Sequence, residues 1–214
     1  MKEVLWHGRG GQGAFTAARL LGAAGAFPEG RYSLAFPSFG PERRGAPMRA
    51  FTKVDDKPIG DRSAVSCADY VVYLDDTLLG FGWASELKPS GKALINTVKD
   101  FGDERIISID ADGISQRILG RPIPNTVFLA CLLALDDAFS YDDIRRSIHE
   151  YMPEKLHAKN LAVVDAVLEE LAQRGIGRVV GVTGSAGDEG SRSGTKASES
   201  ADEGTQTRRA SHDS

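Results

Sequence analysis

Short apolar runs alternate with amphipathic segments along most of this chain, a pattern typical of an α/β protein. The first run, residues 4–7, ends at a glycine, and residues 14–26 then place Ala17, Leu20 and Ala24 along one helical face. Later runs have the continuous apolar composition of strands buried on both faces, which predicts a mostly parallel sheet covered by helices. The further predicted strands are 32–36, 48–54, 70–74, 93–95 and 106–109.

Four helices are predicted in the second half of the chain, at 113–119, 125–138, 141–152 and 156–174. From residue 183 onward the chain has no periodicity and no large apolar side chain, so it cannot bury enough surface to offset its ordering entropy. We therefore predict a single Rossmann-like, three-layer α/β domain over residues 1–178, followed by a disordered tail over 183–214.

Composition narrows the range of partners. With 26 basic and 30 acidic residues the net charge is -4, so no general attraction to nucleic acid or to a membrane surface is expected. The longest apolar stretch, around residues 127–135, is far shorter than the roughly 20 residues that span a bilayer. No signal peptide is recognisable, which predicts a cytoplasmic location. Cys67 and Cys131 form no Cys-x-x-Cys pair, so neither zinc nor an iron–sulfur cluster is expected in this chain.

A glycine-rich loop is the strongest candidate for a binding site. It fits the spacing G-x-G-x-x-G directly after a predicted strand and directly before a predicted helix. The glycines allow close approach of a ligand, and the helix would direct its N–H groups and positive dipole end toward an anion, best a phosphate. A tight strand-to-helix turn without a ligand is the alternative. The loop reads Gly8-Arg9-Gly10-Gly11-Gln12-Gly13.

The second predicted strand argues against an ordinary nicotinamide site. Such sites place an acidic residue at the end of that strand to hold the ribose, but here the strand ends Ala35-Phe36-Pro37. The following loop supplies Arg43 and Arg44, which are suited to phosphate or carboxylate. Either arginine could instead pair with Glu42 or with a partner chain.

Other polar residues follow the predicted strands without forming a catalytic motif. Asp75 and Asp76 lie where open α/β sheets collect ligands, although capping of the turn at Thr77 is the favoured interpretation. His7 adjoins the glycine-rich loop and is interpreted as a packed strand residue. The histidines show no metal-ligand spacing, and no nucleophile motif is present.

Two blocks together resemble the gamma subunit of pyruvate:ferredoxin and related 2-oxoacid:acceptor oxidoreductases. One is the glycine-rich loop, and the other is residues 36–47, whose composition is unusual. Softer likeness extends over residues 69–75, 124–126 and 155–160, so that the resemblance covers about residues 1–175. The second block reads Phe36-Pro37-Ser38-Phe39-Gly40-Pro41-Glu42-Arg43-Arg44-Gly45-Ala46-Pro47.

The resemblance implies one subunit of a complex that converts a 2-oxoacid and coenzyme A to acyl-CoA and carbon dioxide. Partner subunits of alpha, beta and delta type would hold thiamine diphosphate and the [4Fe-4S] clusters, and ferredoxin or an NAD-linked flavin subunit would accept the electrons. This chain would bind no cofactor alone and would assist the binding of coenzyme A as co-substrate, as well as assembly. The residues expected to contact coenzyme A are Arg9, Gly10, Gly11, Gln12, Gly13, Arg43 and Arg44.

Several alternatives stay open at this point. Pyruvate is the favoured substrate, but 2-oxoglutarate, branched-chain, indolepyruvate-type and phenylglyoxylate-type acids are handled by similar complexes. A stand-alone nucleotide- or phosphate-binding module would need only the glycine-rich loop, and it would leave residues 36–47 unexplained. A free-standing NAD(P) oxidoreductase is disfavoured by the missing acidic residue.

Overall fold

A computed structural model describes residues 1–38 and 44–180. Within them the chain forms one six-stranded sheet with the strand order β2-β3-β1-β4-β5-β6. All six predicted strands are present, most of them longer at their ends than the apolar runs. The strands are β1 (Lys2–Arg9), β2 (Tyr32–Pro37), β3 (Pro47–Asp55), β4 (Ala68–Tyr73), β5 (Leu87–Asn96) and β6 (Ile106–Ile109).

Only one of the six strands runs against the others. β1, β4, β5 and β6 are parallel neighbours, whereas β3 is antiparallel to both β1 and β2. The predicted α/β fold with a mostly parallel sheet is therefore confirmed. β1 lies between β3 and β4, and its residue His7 is opposite Arg49 on one side and Tyr73 on the other.

Five α-helices contribute to a single hydrophobic core on one face of the sheet. α3 has the most apolar sequence because it contacts α1, α4 and α5, and every residue from Asn125 to Ala134 is buried. The other helices are amphipathic or border the solvent, which gives the periodicity seen in the sequence. The helices are α1 (Ala14–Ala26), α2 (Ala111–Leu119), α3 (Asn125–Leu135), α4 (Tyr141–Tyr151) and α5 (His157–Gln173).

Two helix ends differ from the predicted bounds by two residues or more, and three others differ by one residue. α2 begins two residues early because the side chain of Asp110 accepts a hydrogen bond from the N–H of Gly113 at 2.8 Å and so caps the helix. α3 ends at Leu135 rather than at residue 138. Asp136 has an extended backbone there, and its carboxylate lies 2.9 Å from Nζ of Lys2.

The other face of the sheet carries a thinner layer. Leu5, Phe51, Val71, Tyr73 and Ile95 form its apolar surface. Two 3-10 helices, Asp76–Leu78 and Trp83–Glu86, and the connection over residues 56–67 cover this surface. The third layer is therefore built from short 3-10 helices and irregular chain, whereas the α-helices lie on the first face.

The predicted tail at 183–214 lies outside the described residues, so the division into a domain and a tail stays a prediction. Within residues 1–38 and 44–180, none of the helices combines the length and apolar character that crossing a membrane requires.

Candidate functional site

One edge of the sheet collects the segments singled out in the sequence. The carboxyl ends of β1, β4 and β5 meet there with the amino end of β3, since Arg9 is opposite Pro47 in the ladder. The glycine-rich loop, residues 44–46 before β3, and the turn after β4 therefore lie side by side. This is the edge at which open α/β sheets bind ligands.

The conformation of the loop depends on two glycines with positive φ. Gly11 has φ of 102° with open space where a side chain would begin, and Gly13 has φ of 83° and directly precedes α1. A Cβ on Gly13 would lie 2.8 Å from Nδ2 of Asn125, so the loop also packs tightly against the start of α3. Both positions favour glycine because side chains rarely adopt this backbone region.

Backbone hydrogen bonds join the two sequence blocks that carry the resemblance. The N–H of Gly10 donates to the carbonyl of Ala46 at 2.9 Å, and the N–H of Gly45 donates to the carbonyl of Gly10 at 3.0 Å. Residues more than thirty positions apart in the chain thus form one continuous surface.

Arg9 fastens this surface to the turn after β4. Its Nε donates to Oδ2 of Asp75 at 2.9 Å, its Nη2 to Oγ1 of Thr77 at 2.9 Å, and its Nη1 to the carbonyl of Gly45 at 3.2 Å. The guanidinium therefore contacts all three segments of the site. Arg9 therefore acts as a clamp within the protein. Only the guanidinium N–H groups that make none of these three hydrogen bonds are left to meet a ligand.

Gln12 and Asp75 complete the clamp. Gln12 accepts from the N–H of Arg9 at 2.7 Å and donates to Oδ2 of Asp75 at 3.2 Å. Asp75 also caps its own turn by accepting from the N–H of Thr77 at 3.0 Å, which confirms the capping interpretation. Burial alone would raise the pKa of Asp75, but the hydrogen bonds from Thr77, Gln12 and Arg9 outweigh it and lower the pKa.

The amino end of α1 opens onto this surface without a side-chain cap. The N–H groups of Ala14, Phe15 and Thr16 have no acceptor within the described ranges, and the first turn contains no acidic residue. Unpaired N–H groups and the positive end of the helix dipole favour an anion there.

Of the two loop arginines only Arg44 can be placed. It is exposed beside Gly45, and it forms no ion pair with any residue in 1–38 or 44–180. Arg43 lies outside the described residues. The structure brings Arg9, Gly10, Gly11, Gln12, Gly13 and Arg44 to one edge of the sheet, and their contact with coenzyme A stays a prediction.

The sheet order supplies a further reason why the loop differs from an ordinary nicotinamide site. In an ordinary nicotinamide site the second strand lies next to β1, but here β2 lies at the edge of the sheet and the antiparallel β3 separates the two. On the β2 side of β1, the neighbouring strand β3 therefore presents its amino end, Pro47, where a dinucleotide fold would present a carboxylate.

A second polar cluster, not recognised in the sequence as a unit, adjoins the loop. The rings of His7 and Tyr73 stack with centroids 4.6 Å apart and planes 3° from parallel. Oε2 of Glu86 lies 2.9 Å from Nε2 of His7 and accepts from the Tyr73 hydroxyl at 2.7 Å. The period-two alternation of a strand indicates that His7 lies on the same face of β1 as Arg9 of the loop. No local sequence signal identifies Glu86 as the partner of His7.

Burial alone would raise the pKa of Glu86, yet the hydrogen bonds from His7 and Tyr73 and the nearby charges of His7 and Arg49 lower it. The pKa of Tyr73 is raised, mainly by burial and then by the hydrogen bond to Glu86 and the negative charge of Glu86. Glu86 and Tyr73 therefore form a pair in which a neutral phenol donates a hydrogen bond to a carboxylate.

The described part of the chain contains no group of three or more His, Cys, Asp or Glu side chains placed to hold a metal ion.

Comparison with known proteins identifies the family. Residues 3–170 match the family model described as pyruvate ferredoxin/flavodoxin oxidoreductase. The chain belongs to this family. It is a gamma-type subunit of a 2-oxoacid oxidoreductase, as the relatives below show.

Three relatives of this gamma-type subunit give the extent of the likeness. Pyruvate synthase subunit PorC of Methanothermobacter thermautotrophicus is 45% identical over 174 residues, which cover 80% of this chain and 96% of the relative. The common subunit gamma of the pyruvate/ketoisovalerate oxidoreductases of Thermococcus kodakarensis is 41% identical over 170 residues, covering 75% and 91%. The crystal structure of pyruvate oxidoreductase subunit PORC from Thermotoga maritima matches with a TM-score of 0.68 and 36% identity, covering 78% and 95%.

Proposed function

We propose that this gamma-type subunit helps to bind coenzyme A and to assemble an oxidoreductase that converts a 2-oxoacid to acyl-CoA and carbon dioxide. The observation that carries the proposal is the pair of hydrogen bonds between Gly10 and residues Gly45 and Ala46, which joins the two family blocks at the uncapped start of α1. A pyrophosphate suits this position because it would meet free N–H groups and the helix dipole.

The division of labour within the site follows from the contacts of each residue. Arg9 and Gln12 are tied to Asp75, so they hold the loop in shape. The backbone of Gly11 and Gly13 and the exposed Arg44 are then the groups left to meet phosphate oxygens. Arg43 is proposed as a second cationic contact on the basis of its position next to Arg44 in the sequence.

Pyruvate is the proposed substrate because the relatives are named for pyruvate. The Thermococcus relative is named for ketoisovalerate as well, so a branched-chain 2-oxoacid is the alternative substrate. We further propose that alpha-, beta- and delta-type partners carry thiamine diphosphate and the [4Fe-4S] clusters, that ferredoxin or a flavin subunit accepts the electrons, and that the complex is cytoplasmic.

Steady-state titration of the assembled complex with coenzyme A tests the binding role. Arg44→Ala and Arg43→Ala should each raise the KM for coenzyme A by about tenfold, the size of one charge-assisted hydrogen bond, while the KM for the 2-oxoacid stays unchanged. Gly11→Ala should raise it too, since its φ of 102° would shift. Arg62→Ala, an exposed arginine beside Asp61, which pairs with Lys53 of β3, is the matched control. An unchanged KM in all three site variants would contradict the proposal.

A further inference from the structure

Residues 78–86, here called the 78–86 surface, form an unusual stretch of the sheet face that carries no α-helix. Charged residues make up 26% of the chain, yet in these nine residues only Glu86 is charged. None of the nine is buried, although Leu78, Leu79 and Trp83 pack partly against the apolar surface beneath them. A weakly charged, apolar and solvent-facing segment is typical of an interaction surface.

Phe81 is the most prominent residue of the 78–86 surface. Its relative exposure of 111% means that no residue of the described ranges 1–38 and 44–180 covers it. Gly80 on one side has no atom within 4 Å of where a side chain would begin, and Gly82 on the other has only Oγ of Ser85 at 3.8 Å. An aromatic ring between two glycines is therefore free to enter a pocket on another molecule.

The segment that carries Phe81 is held in place by local hydrogen bonds. The N–H of Trp83 donates to the carbonyl of Gly80 at 3.2 Å, and the hydroxyl of Ser85 donates to the carbonyl of Gly82 at 2.7 Å. Because the turn is already ordered, docking through Phe81 would cost little further conformational entropy.

A pocket of about 320 Å³ lies beside Phe81, with Trp83 and Leu78 as apolar walls and the stacked His7 and Tyr73 on its inner side. Both hydrogen bonds that the cluster gives to Glu86 go to Oε2. Oε1 has no donor among residues 1–38 and 44–180, and the carboxylate is 25% exposed. An anionic oxygen fixed at the edge of a pocket that Leu78 and Trp83 wall on one side suits a lysine or arginine side chain.

We propose that the 78–86 surface docks onto another subunit of the same oxidoreductase, one that covers Phe81 with an apolar pocket and presents a lysine or arginine to Glu86. The inference rests on the assembly role proposed above and is independent of coenzyme A binding. A second copy of this chain fits less well, because a twofold contact through the same patch would bring two Glu86 carboxylates together.

The position of the surface also fits a subunit that works next to the glycine-rich loop. His7 borders the pocket and Arg9 clamps the loop, and the two lie on the same face of β1 two residues apart, about 7 Å. A subunit seated on the 78–86 surface would therefore adjoin the proposed coenzyme A site.

Co-expression of the full chain with its partner subunits tests the inference. One partner carries an affinity tag, and the readouts are the amount of this chain retained and the apparent Kd of reassembly. Phe81→Ala should weaken reassembly by about tenfold or more, as buried aromatic anchors do. Glu86→Gln should weaken it less and reduce its dependence on salt. Tyr151→Ala removes a half-exposed aromatic ring at the end of α4, on the other layer, and should have no effect.

The outcomes separate this inference from the function on which it rests. Retention of the Phe81→Ala chain at the wild-type level overturns the 78–86 surface while leaving the assembly role intact. Failure of the wild-type chain to be retained contradicts the assembly role and the surface together. A wild-type homodimer that Phe81→Ala abolishes would assign the surface to a second copy and also overturn the inference. Unfolding midpoints of the isolated variants check folding, and Phe81→Leu should recover part of the affinity.

Discussion

Nε of Arg9 lies 2.9 Å from Oδ2 of Asp75, and this contact joins the glycine-rich loop to the turn after β4. The same carboxylate also receives Gln12 and the N–H of Thr77, so one acidic side chain organises two segments that are more than sixty residues apart. The basic residue of the motif thus has its charge balanced within the fold. In the proposed function, backbone groups and the arginines outside the clamp are therefore the groups that bind the ligand.

Asp75→Asn should lower the free energy of unfolding by about 1–2 kcal/mol at pH 7, because the ion pair with Arg9 is lost and the hydrogen bond from Gln12 no longer goes to a charged acceptor. The folded state lowers the pKa of Asp75, so its contribution is present above the ordinary pKa of about 4 and is lost as the pH falls through the folded value. Urea unfolding between pH 7 and pH 2 should show the difference between wild type and variant shrinking at the acid end.

Asp76→Asn is the matched control, since Asp76 pairs mainly with Lys99, whose side chain is 68% exposed. Exposed ion pairs contribute about 0–1 kcal/mol. Equal losses in the two variants, or a difference for Asp75→Asn that does not change with pH, would contradict the role of the clamp.

Gly13→Ala should destabilise the protein more than Gly11→Ala. Both place a side chain at positive φ, at a cost of about 1–2 kcal/mol, but only at Gly13 would the new Cβ meet Nδ2 of Asn125, at 2.8 Å. Chemical denaturation of both variants measures the difference. In a double-mutant cycle, Asn125→Ala should recover part of the loss in Gly13→Ala. Additive effects in that cycle would show that the contact with α3 is unimportant.

Thr52→Val should cost about 1–3 kcal/mol because it leaves the buried indole N–H of Trp6 without an acceptor. The Thr52 hydroxyl accepts from Nε1 of Trp6 at 3.1 Å and donates to the carbonyl of Ala18 at 3.0 Å, and so connects β1, β3 and α1. Thermal or urea unfolding measures the effect. Thr16→Val, the same change at an exposed position of α1, should stay within about 0.5 kcal/mol of wild type.

Tyr73→Phe should raise the pKa of Glu86 toward its ordinary value, because the variant lacks the phenol that helps to keep that pKa low. A carboxyl-carbon NMR titration follows Glu86 directly. A carboxyl group whose pKa is lowered in the folded state stabilises the fold at pH values above that pKa. The free energy of unfolding of the variant should therefore be about 1 kcal/mol lower than that of the wild type at pH 7, and the difference should be smaller at low pH. Tyr70→Phe removes a hydroxyl bonded to Leu135 instead and should leave the titration of Glu86 unchanged.

Much of this protein follows from local sequence. Apolar runs locate all six strands, the periodicity locates the helices, and the positive-φ Gly13 is the last glycine of a motif whose context is itself local. The two family blocks together also suffice to indicate the family, because the second, residues 36–47, is long and unusual in composition. Such features depend on the chain near each residue, so the sequence alone determines them.

Other features depend on which strands become neighbours. The antiparallel β3 between β1 and β2 is set by tertiary packing, and it moves the end of β2 away from the loop. The same order brings Gly10 to Gly45, Arg9 to Asp75, and His7 to Glu86. No spacing rule predicts these contacts, because the partners are 35 to 79 residues apart and meet only when the sheet forms. The glycine-rich loop was therefore determined by the sequence, whereas the role of Arg9 as its clamp was decided by the fold.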